Sequence, residues 1–493
     1  MAPEAMAAEL SRPEREVLIV GAGLSGLVAA RELRARGRSV ALLEARTRVG
    51  GRMVSARTSD GSIVDLGGQW GGASHHRFAA LVEELGLERF PSHYDGLGVF
   101  HWQGRRHEAP LATNFADSLL FFEPSALALP ADELAATRTL QAAFSQLVAS
   151  VNPQQPWLTP QAEDLDHLSV AAWAARHTSI PLARLPLDWL CRVGGSGGFE
   201  PWEVSILHLA WTQAVAPQAE TPEAWLVRGG AGSVAQALAA ELQRQDPGCL
   251  QLGQAVLRID QNPQGVTLLS GDGQCQRALL AIVAVPPPLR LAIQFEPPLP
   301  AAQRALLQRS PMGGMTKILA TYARPFWRER GLNGLGIGDR PALELTADSG
   351  PPEGKPAVLA SFLAGERALR LGALPAAERR RLILDDLVAY WGPEAATPCD
   401  LVEQAWAEEP WSGGAFTSFL SPGSWSGPAR LAAGESGGAG PADHGRVLWA
   451  GSEASPRWPG YFEGAIEAGL AAATRATAVL SSGGSVSCAR AGS

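Results

Sequence analysis

The feature that most constrains this chain is a glycine-rich segment near its start, VLIVGAGLSGLVAARELRARGRSVALLE, residues 17–44. Residues 17–20 are a continuous apolar run that ends at a glycine, which is typical of a strand buried on both faces of a parallel sheet. The spacing of residues 24–36 predicts a helix that stops at Gly37, and residues 39–43 predict a second buried strand. Strand, helix and strand form a βαβ unit, so an α/β fold is expected.

Three glycines lie where the first strand meets the helix, in the pattern Gly21-x-Gly23-x-x-Gly26. Gly21 permits a tight turn, Gly23 lets a diphosphate approach the backbone, and Gly26 allows the helix to pack closely on the strand. The helix N-terminus favours an anion through its N–H groups and its dipole. Glu44 ends the second strand, where a carboxylate can bond ribose hydroxyls. The pattern predicts a dinucleotide site but does not distinguish NAD from FAD.

Two further blocks add to this site. The first joins EARTRVGGR, residues 44–52, to DLGGQW, residues 65–70; the second joins AGSE, residues 450–453, to WPGYFEGA, residues 458–465. Both blocks resemble the motifs of the flavin amine oxidases, the family of monoamine, polyamine and L-amino-acid oxidases. The resemblance extends over nearly the whole chain and implies FAD as the cofactor.

The resemblance assigns FAD binding to residues in several parts of the chain. These are Gly21, Gly23, Leu24, Ser25, Gly26, Glu44, Ala45, Arg46, Gly51, Arg52, Gly67, Gly68, Gln69, Trp70, Val256, Trp411, Gly451, Ser452, Glu453, Gly460, Tyr461 and Phe462. Ala415 stands where mammalian monoamine oxidases carry a cysteine that bonds the flavin covalently. The resemblance therefore implies that FAD is held without a covalent bond.

The catalytic residues that the resemblance implies are Lys317, Tyr461 and Phe416. Lys317 matches the family lysine that hydrogen-bonds a water near N5 of the flavin. By its residues alone, the apolar run 316–322 leaves two alternatives open: a buried lysine that is paired or deprotonated, or an edge-strand lysine that reaches solvent along its stem. Tyr461 and Phe416 match the two aromatic rings between which the amine passes, and Phe416 replaces the usual tyrosine of the monoamine enzymes.

Trp70 bears on the choice of substrate. L-amino-acid oxidases of this family carry an arginine at its position, because a buried carboxylate needs a bidentate cation. A simple amine is therefore favoured, although an arginine elsewhere, such as Arg77 or Arg192, could fold into the site. The predicted substrate pocket comprises Trp70, Trp202, Phe416 and Tyr461, and it suits an apolar or cyclic amine. Glu200 and Glu203 could instead receive a diamine, although loop acids are usually solvated.

A second glycine pattern, Gly230-x-Gly232-x-x-Ala235, follows another short apolar run. It could be the nicotinamide site of a flavin-dependent reductase, which needs two nucleotide sites. No acidic or basic pair follows the next apolar run, residues 250–252, where such a site would need one. The resemblance instead makes this turn part of the flavin domain, and we expect only one nucleotide site.

Composition excludes several classes of protein. A formal net charge of −8 without a basic stripe argues against binding to nucleic acid or to an anionic membrane. The five cysteines have no CxxC spacing, and His75, His76 and His208 have no ligand spacing, so neither a disulfide framework nor a metal site is predicted. We find no secretory signal and no apolar run of about 18 residues. A cytoplasmic protein is expected.

With 493 residues, two domains are expected. The predicted fold class is α/β, with a Rossmann-like FAD-binding domain of the glutathione-reductase type and an inserted α+β substrate-binding domain. The predicted boundaries are residues 15–90, 224–297 and 407–480 for the FAD-binding domain, residues 91–223 and 298–406 for the substrate-binding domain, and disordered ends at residues 1–14 and 481–493.

The predicted function is oxidation of a primary or secondary amine to an imine, with O2 reduced to H2O2 and the imine hydrolysed to a carbonyl compound and ammonia. The partners are then a small-molecule amine and O2, and a homodimer is compatible with the sequence. The alternatives are an L-amino-acid oxidase on the same fold, a flavin desaturase of the carotenoid or porphyrinogen type, and a flavoprotein without turnover. Lys317 and the two rings argue against the desaturase.

Overall fold

The computed structural model describes residues 14–113, 118–194, 197–216, 223–434 and 438–482. Most of the two ends that were expected to be disordered, and Cys488 with them, lie outside these ranges. Ser481, which was placed in a disordered end, is the last residue of a helix. Over the described ranges, no helix combines the length and the apolar character that a membrane span needs.

The strands are β1 (Arg15–Val20), β2 (Val40–Glu44), β3 (Ser55–Arg57), β4 (Ile63–Asp65), β5 (Trp70–Gly71), β6 (Arg89–Pro91), β7 (Leu97–Trp102), β8 (Arg105–Ala109), β9 (Trp225–Val227), β10 (Leu250–Leu252), β11 (Val256–Asn262), β12 (Gly265–Ser270), β13 (Cys275–Val283), β14 (Gln294–Glu296), β15 (Met315–Tyr322), β16 (Leu332–Gly338), β17 (Leu345–Asp348), β18 (Ala357–Ala364), β19 (Asp400–Ala405) and β20 (Val447–Trp449).

The α-helices are α1 (Leu24–Ala35), α2 (His76–Glu84), α3 (Ala131–Ser150), α4 (Ala162–Asp166), α5 (Val170–His177), α6 (Pro181–Arg192), α7 (Ile206–Val215), α8 (Gly232–Gln245), α9 (Ala301–Leu307), α10 (Phe326–Glu329), α11 (Glu366–Gly372), α12 (Ala376–Trp391), α13 (Arg430–Ala433) and α14 (Phe462–Ser481).

The chain divides into two compact units, which are described separately. Unit 1 comprises Met1–Gly51, Val234–Arg309 and Pro428–Ser493, and unit 2 comprises Arg52–Ser233 and Ser310–Gly427. The division into an FAD-binding and a substrate-binding domain, with the boundaries given above, stays a prediction.

Unit 1 is built on an eight-stranded sheet, as far as the described residues show. Strands β10, β2, β1 and β13 are parallel neighbours, and α1 connects β1 to β2 as the βαβ pattern predicts. The first part of β13 pairs with β12, and its last residues pair in parallel with β20. Because β1 and β2 lie inside a sheet covered on both faces, apolar side chains are favoured on both of their faces.

Unit 2 is built on a seven-stranded sheet in the order β19, β15, β18, β17, β16, β7, β8, again for the described residues. On one face, Ile318 and Ala320 of β15 pack with Leu387 of α12. On the other face, Met315 of β15 packs in a core that contains Leu185 of α6. Both faces of β15 are thus buried, which explains its continuous apolar character.

Two expectations from the sequence differ from the structure. The spacing of residues 91–222 predicts helices, but this region begins with the hairpin β7–β8, whose turn residues Gln103 and Gly104 both have positive φ. The apolar run 224–227, with the glycine turn and helix that follow it, predicts a second βαβ pattern, but β9 pairs antiparallel with β5 and β6. Short apolar runs do not encode their partner strands, so periodicity alone could not decide either case.

Candidate active site

The phosphate-binding loop predicted after β1 has the backbone geometry that its glycines allow. Gly21 has φ +98°, a left-handed conformation in which a side chain would be strained, and a Cβ on Gly26 would collide with the carbonyl oxygen of Gly21. Gly23 is different: its φ is −71°, and within the described residues a Cβ there would meet nothing within 4 Å. The loop therefore needs Gly21 and Gly26 for its own shape, whereas Gly23 faces open space.

The N-terminus of α1 is prepared for an anion. Within the described residues, α1 has neither a side-chain cap nor an acidic residue in its first turn. The hydroxyl of Ser25, in that turn, accepts a hydrogen bond of 3.0 Å from the backbone N–H of Gly451. An uncapped helix N-terminus beside a backbone turn fits a diphosphate, because the N–H groups and the dipole both favour negative charge.

Glu44 is buried at the end of β2 and organises the adjacent loops. One carboxylate oxygen accepts from the backbone N–H of Ala22 at 2.8 Å, and the other accepts from the backbone N–H of Arg46 at 3.0 Å. A carboxylate has about four lone-pair directions, so both oxygens can accept further hydrogen bonds. Glu44 therefore fits the predicted contact with ribose hydroxyls.

The closing block of unit 1 combines turns with a second helix start. Gly451 and Gly460 have φ +98° and +86°, so both occupy conformations that favour glycine. Tyr461 precedes α14, and its ring packs edge-on against Trp458 with centroids 5.2 Å apart. The backbone conformation of this block depends on its glycines, as it does in the loop after β1.

Arg290 is a residue near this block that the sequence gave no reason to select. Its guanidinium donates to the carbonyl oxygens of Ala450 at 2.9 Å and Val285 at 3.3 Å, and it lies 4.8 Å from the ring centroid of Trp449. Burial lowers its pKa to about 10, which the negative charge of Glu453 opposes. Arg290 thus ties together the chain segments that follow β13 and β20.

Lys317 of unit 2 is a buried lysine. It lies on β15, which is flanked by β18 and β19, and only 3% of it is exposed. The alternative of an edge-strand lysine reaching solvent is therefore wrong. Its Nζ donates to the carbonyl oxygen of Gly67 at 2.8 Å and to Oε1 of Gln69, and it lies 5.8 Å from the ring centroid of Trp70.

Burial controls the protonation of this lysine. It lowers the pKa of Lys317 to about 7, and the negative charge of Asp65 acts in the opposite direction. Burial also raises the pKa of Asp65, which the nearby lysine opposes. An amine whose pKa lies near neutrality can hold or release a proton under ordinary conditions, which a solvated lysine cannot do.

Aromatic rings lie beside the lysine, beginning with Trp70, whose ring centroid is 5.8 Å from Nζ. Phe362, which is level with Lys317 on β18, has its ring 6.5 Å from that of Trp70 and 5.5 Å from that of Phe416. The backbone carbonyl of Phe416 accepts a hydrogen bond of 2.7 Å from Arg52. Sequence reasoning missed Phe362, because only the pairing of β15 with β18 brings it to this position.

Among the described residues, Trp202 makes no ring contact with this cluster. Trp202 lies in the turn before α7 and is 56% exposed, as is common for side chains in surface turns. Glu200 is not a solvated loop acid either, because it accepts from Arg192 at 2.8 Å and from the backbone N–H of Glu366 at 3.0 Å. Glu203 in turn accepts from the backbone N–H of Glu200.

Arg192, one of the arginines considered for a substrate carboxylate, already has carboxylate partners. It contacts Glu200 at 2.8 Å and Glu344 at 3.1 Å. Burial lowers its pKa and these two carboxylates raise it, with a net upward direction. Arg192 thus belongs to an internal ion-pair network of unit 2.

The second glycine pattern is already satisfied by protein groups. At the start of α8, the backbone N–H of Ala231 donates to Asp65 at 3.0 Å, and that of Gly232 donates to the hydroxyl of Ser55 at 3.1 Å. A diphosphate would have to displace Asp65, a buried carboxylate. The expectation of no nucleotide site at this turn agrees with this geometry.

The predicted cofactor and catalytic residues are distributed over both units. Unit 1 contains Gly21, Gly23, Leu24, Ser25, Gly26, Glu44, Ala45, Arg46, Gly51, Val256, Gly451, Ser452, Glu453, Gly460, Tyr461 and Phe462, and unit 2 contains Arg52, Gly67, Gly68, Gln69, Trp70, Lys317, Trp411 and Phe416. Their roles stay predictions. Trp411 is 41% exposed.

A signal in the composition could have drawn attention to Lys317. The chain has 41 lysines and arginines, and only two of them, Lys317 and Lys355, are lysines. Lys355 is exposed, so Lys317 is the one buried lysine of the chain. Arginine cannot lose its proton in a protein, whereas lysine can, which favours lysine at a buried site that must titrate.

The described residues contain no group of three or more histidine, cysteine and acidic side chains that could hold a metal ion. His75 and His208 are buried, and burial lowers their pKa values to about 4 and about 3. His208 packs edge-on against Phe419 and stacks with Trp211. Its surroundings are those of a core residue.

Comparisons with known proteins agree with this geometry. A family model described as flavin containing amine oxidoreductase matches residues 24–477. An L-amino acid dehydrogenase of Synechocystis sp. is 40% identical, over 93% of this chain and 94% of the relative. Putrescine oxidase of Kocuria rosea is 34% identical, over 93% and 94%. The solved structure of cyclohexylamine oxidase from Brevibacterium oxydans matches with a TM-score of 0.85 and 30% identity, over 95% of this chain and all of that one.

Proposed function

Because the chain belongs to the flavin-containing amine oxidoreductase family, we propose that it oxidises a primary or secondary amine to an imine and passes the electrons to O2, giving H2O2. For a primary amine, hydrolysis of the imine then yields a carbonyl compound and ammonia. Family membership confirms the α/β fold class, the FAD cofactor and the enzyme class. The particular amine and the electron acceptor are the proposal.

The observation that carries the proposal is the buried Lys317 within a wall of aromatic rings. Bound FAD supplies the redox chemistry, because it takes up the hydrogen and the two electrons that leave the carbon–nitrogen unit. The chain's own groups do the rest. The rings of Trp70, Phe362 and Phe416 provide an apolar surface that excludes water, and Lys317 can hold or release a proton at Nζ.

The residues of unit 1 fit the adenosine diphosphate part of FAD. The N-terminus of α1 would receive the diphosphate beside Gly23 and Ser25, and Glu44 would accept from the ribose. Ala415 has no thiol, so it cannot form the covalent link seen in mammalian monoamine oxidases. We therefore propose that FAD is bound without a covalent bond.

A simple amine fits unit 2 better than an amino acid does. The position at which L-amino-acid oxidases carry an arginine is occupied by Trp70, and the charge of Arg192 is shared by Glu200 and Glu344. A buried carboxylate without a cationic partner is costly. Two of the similar proteins are named putrescine oxidase and cyclohexylamine oxidase, and both names specify an amine as the substrate.

A second candidate is an L-amino-acid dehydrogenase. It is favoured by the relative of that name, which is 40% identical over nearly the full length of both chains. In this candidate the electrons go to an acceptor other than O2, and a cation other than Arg192 meets the carboxylate. Both differences from the first candidate can be measured.

The test uses matched substrates that differ only in the carboxylate, for example 2-phenylethylamine and L-phenylalanine, with putrescine and cyclohexylamine beside them. Anaerobic bleaching of the flavin absorbance identifies the substrate independently of the acceptor. Peroxide release in air, compared with reduction of an artificial dye acceptor, then separates an oxidase from a dehydrogenase. Lys317→Met tests whether turnover depends on the buried lysine, and Lys355→Met, at the exposed lysine, is its matched control.

Bleaching by amines with peroxide release would support the proposal. Bleaching by the amino acid alone, with electrons passing to the dye and not to O2, would replace it with the dehydrogenase. A flavin that neither class bleaches would overturn both and favour the desaturase or a flavoprotein without turnover.

Two finer predictions accompany this function. We also propose a cytoplasmic location, which fractionation of the source cells would test. A homodimer is compatible with the sequence, and light scattering of the purified holoprotein would measure the molecular mass, to be compared with 51.9 kDa for one chain.

A further inference from the structure

The side chain of Gln69 is satisfied at one end only. It is 2% exposed, and its Oε1 accepts a hydrogen bond from Nζ of Lys317. Its Nε2 is buried and has no hydrogen-bond partner within the part of the chain that the structure describes. When Lys317 is an ammonium it can only donate, so in that form the carbonyl oxygen of the amide faces the lysine, as the structure shows, and the NH2 group points away from it.

An unpaired buried amide donor is costly, and native proteins rarely keep one without a reason. The unpaired donor therefore indicates a partner that is present when the protein works. The neighbouring residues Gly67, Gly68 and Trp70 all belong to the block assigned to the flavin.

We propose that Gln69 is a positioning residue with two tasks: its carbonyl oxygen holds Nζ of Lys317 beside the carbonyl of Gly67, and its NH2 group donates to an acceptor of the bound flavin. The proposal rests on the proposed function in that it takes FAD as the cofactor. It goes beyond that function because it assigns the amide its own contacts and couples the lysine to cofactor binding.

Nζ of Lys317 donates to two acceptors, and of these the side chain of Gln69 is the one that a substitution can change. Gly67 contributes a backbone carbonyl, which no substitution removes. On the flanking strands, the residues level with Lys317 are Phe362 and Gln404, and both are uncharged. The charged group that acts on Lys317 is Asp65. Arg52 is a cation next to the ring cluster, because its guanidinium donates to the backbone carbonyl of Phe416.

Two substitutions separate the two tasks. Gln69→Glu keeps an acceptor for Lys317, adds negative charge and removes the donor. Gln69→Leu removes the acceptor and the donor together. A hydrogen bond or an opposite charge favours the ammonium form, so the pKa of Lys317 should rise in Gln69→Glu and fall in Gln69→Leu, by about one unit each. Both variants should bind FAD more weakly, by roughly tenfold.

The chain's lysine content makes the measurement direct. Holoprotein labelled with 13C at the lysine ε-carbon gives two signals, because the chain has two lysines, and Lys355→Arg assigns them. Titration of the ε-carbon shift gives the pKa of Lys317 without reference to turnover. Release of FAD from diluted holoprotein, followed by flavin fluorescence, gives the affinity.

Opposite pKa changes in the two variants, with FAD weakened in both, would support both tasks. An unchanged pKa of Lys317 in Gln69→Glu and Gln69→Leu would overturn the positioning of the lysine, and unchanged FAD release in Gln69→Glu would overturn the donor. If Gln69→Leu does not fold, Gln69→Asn, which withdraws the amide by one methylene, replaces it with the same expected fall in pKa. The pKa measurement needs no substrate, so failure of the amine proposal leaves it interpretable.

Discussion

The phosphate loop of unit 1 and the lysine site of unit 2 are built in contrasting ways. The loop is continuous in sequence and works through backbone N–H groups, whose positions depend on the left-handed conformation of Gly21 and on the close approach of Gly26 to the carbonyl oxygen of Gly21. The lysine site collects Gln69, Lys317 and Phe416 from distant parts of the chain and depends on one ionisable side chain. Substitutions in the loop should therefore act by steric collision and change FAD affinity. Substitutions at the lysine site should act by changing the charge and should change turnover.

The largest effect should come from Lys317→Met, which keeps the length of the side chain and removes the amine. We expect turnover to fall by about 100-fold or more, the usual range for loss of a proton-transfer group, while FAD remains bound. Steady-state rates and the flavin spectrum measure the two parts. Lys355→Met, at the exposed lysine, should keep wild-type turnover.

Turnover close to wild type in Lys317→Met would show that the site of unit 2 does not depend on this ionisable side chain. Loss of FAD together with turnover would instead make the lysine part of cofactor binding.

In unit 1, two neighbouring glycines form a matched pair. Gly26→Ala should prevent the loop from forming, because the new Cβ collides with the carbonyl oxygen of Gly21. Gly23→Ala should fold as the wild type does, because its φ of −71° suits any residue and its Cβ meets no described atom within 4 Å. It should bind FAD roughly tenfold more weakly, because the methyl group occupies the space expected for the diphosphate.

Thermal unfolding followed by circular dichroism, together with FAD release, would measure both glycine variants. Equal FAD affinity in Gly23→Ala and wild type would show that no diphosphate approaches the backbone at this residue.

The pH dependence should separate the lysine from the substrate. Burial lowers the pKa of Lys317 from its ordinary value of 10.5 to about 7, so the side chain is neutral above that pH and an ammonium below it. The substrate amine ionises at about pH 10 and must be neutral to react. As the pH falls below 10, kcat/KM should drop about tenfold per unit, and below pH 7 about 100-fold per unit, because two protons then have to leave.

In Lys317→Met the steeper part below pH 7 should be absent, and the remaining profile should have the slope of one ionisation. A wild-type profile with the same single slope on both sides of pH 7 would remove Lys317 from the pH dependence.

The smallest effect should come from Trp202→Ala. Because Trp202 is 56% exposed and outside the ring cluster, we expect kcat/KM to change by less than about twofold. Phe362→Ala is the comparison, because it removes a ring from the cluster and should raise KM. A large loss of kcat/KM in Trp202→Ala, with an unchanged KM in Phe362→Ala, would place Trp202 and not Phe362 in the pocket wall.

Sequence reasoning was most successful where the signal was local. The strand and helix around Gly21 were placed within two residues of the observed bounds, because apolar periodicity and glycine positions act over short distances. It was least successful for β7 and β9, because β7 pairs with β16 and β9 pairs with β5, and both pairings join segments far apart in the chain. Aromatic content does not say which ring faces inward, and Trp202 is 56% exposed.

The sequence by itself determined the βαβ unit, the glycines of the phosphate loop, the acid at the end of β2 and the family to which the chain belongs. Only the tertiary structure decided that Lys317 lies inside a sheet, that Phe362 stands beside it, and that Asp65 and Ser55 occupy the second glycine turn. The physical reason is the range of the forces involved. Backbone conformation and capping depend on neighbours in the chain, whereas burial, pKa and ring packing depend on residues that only folding brings together.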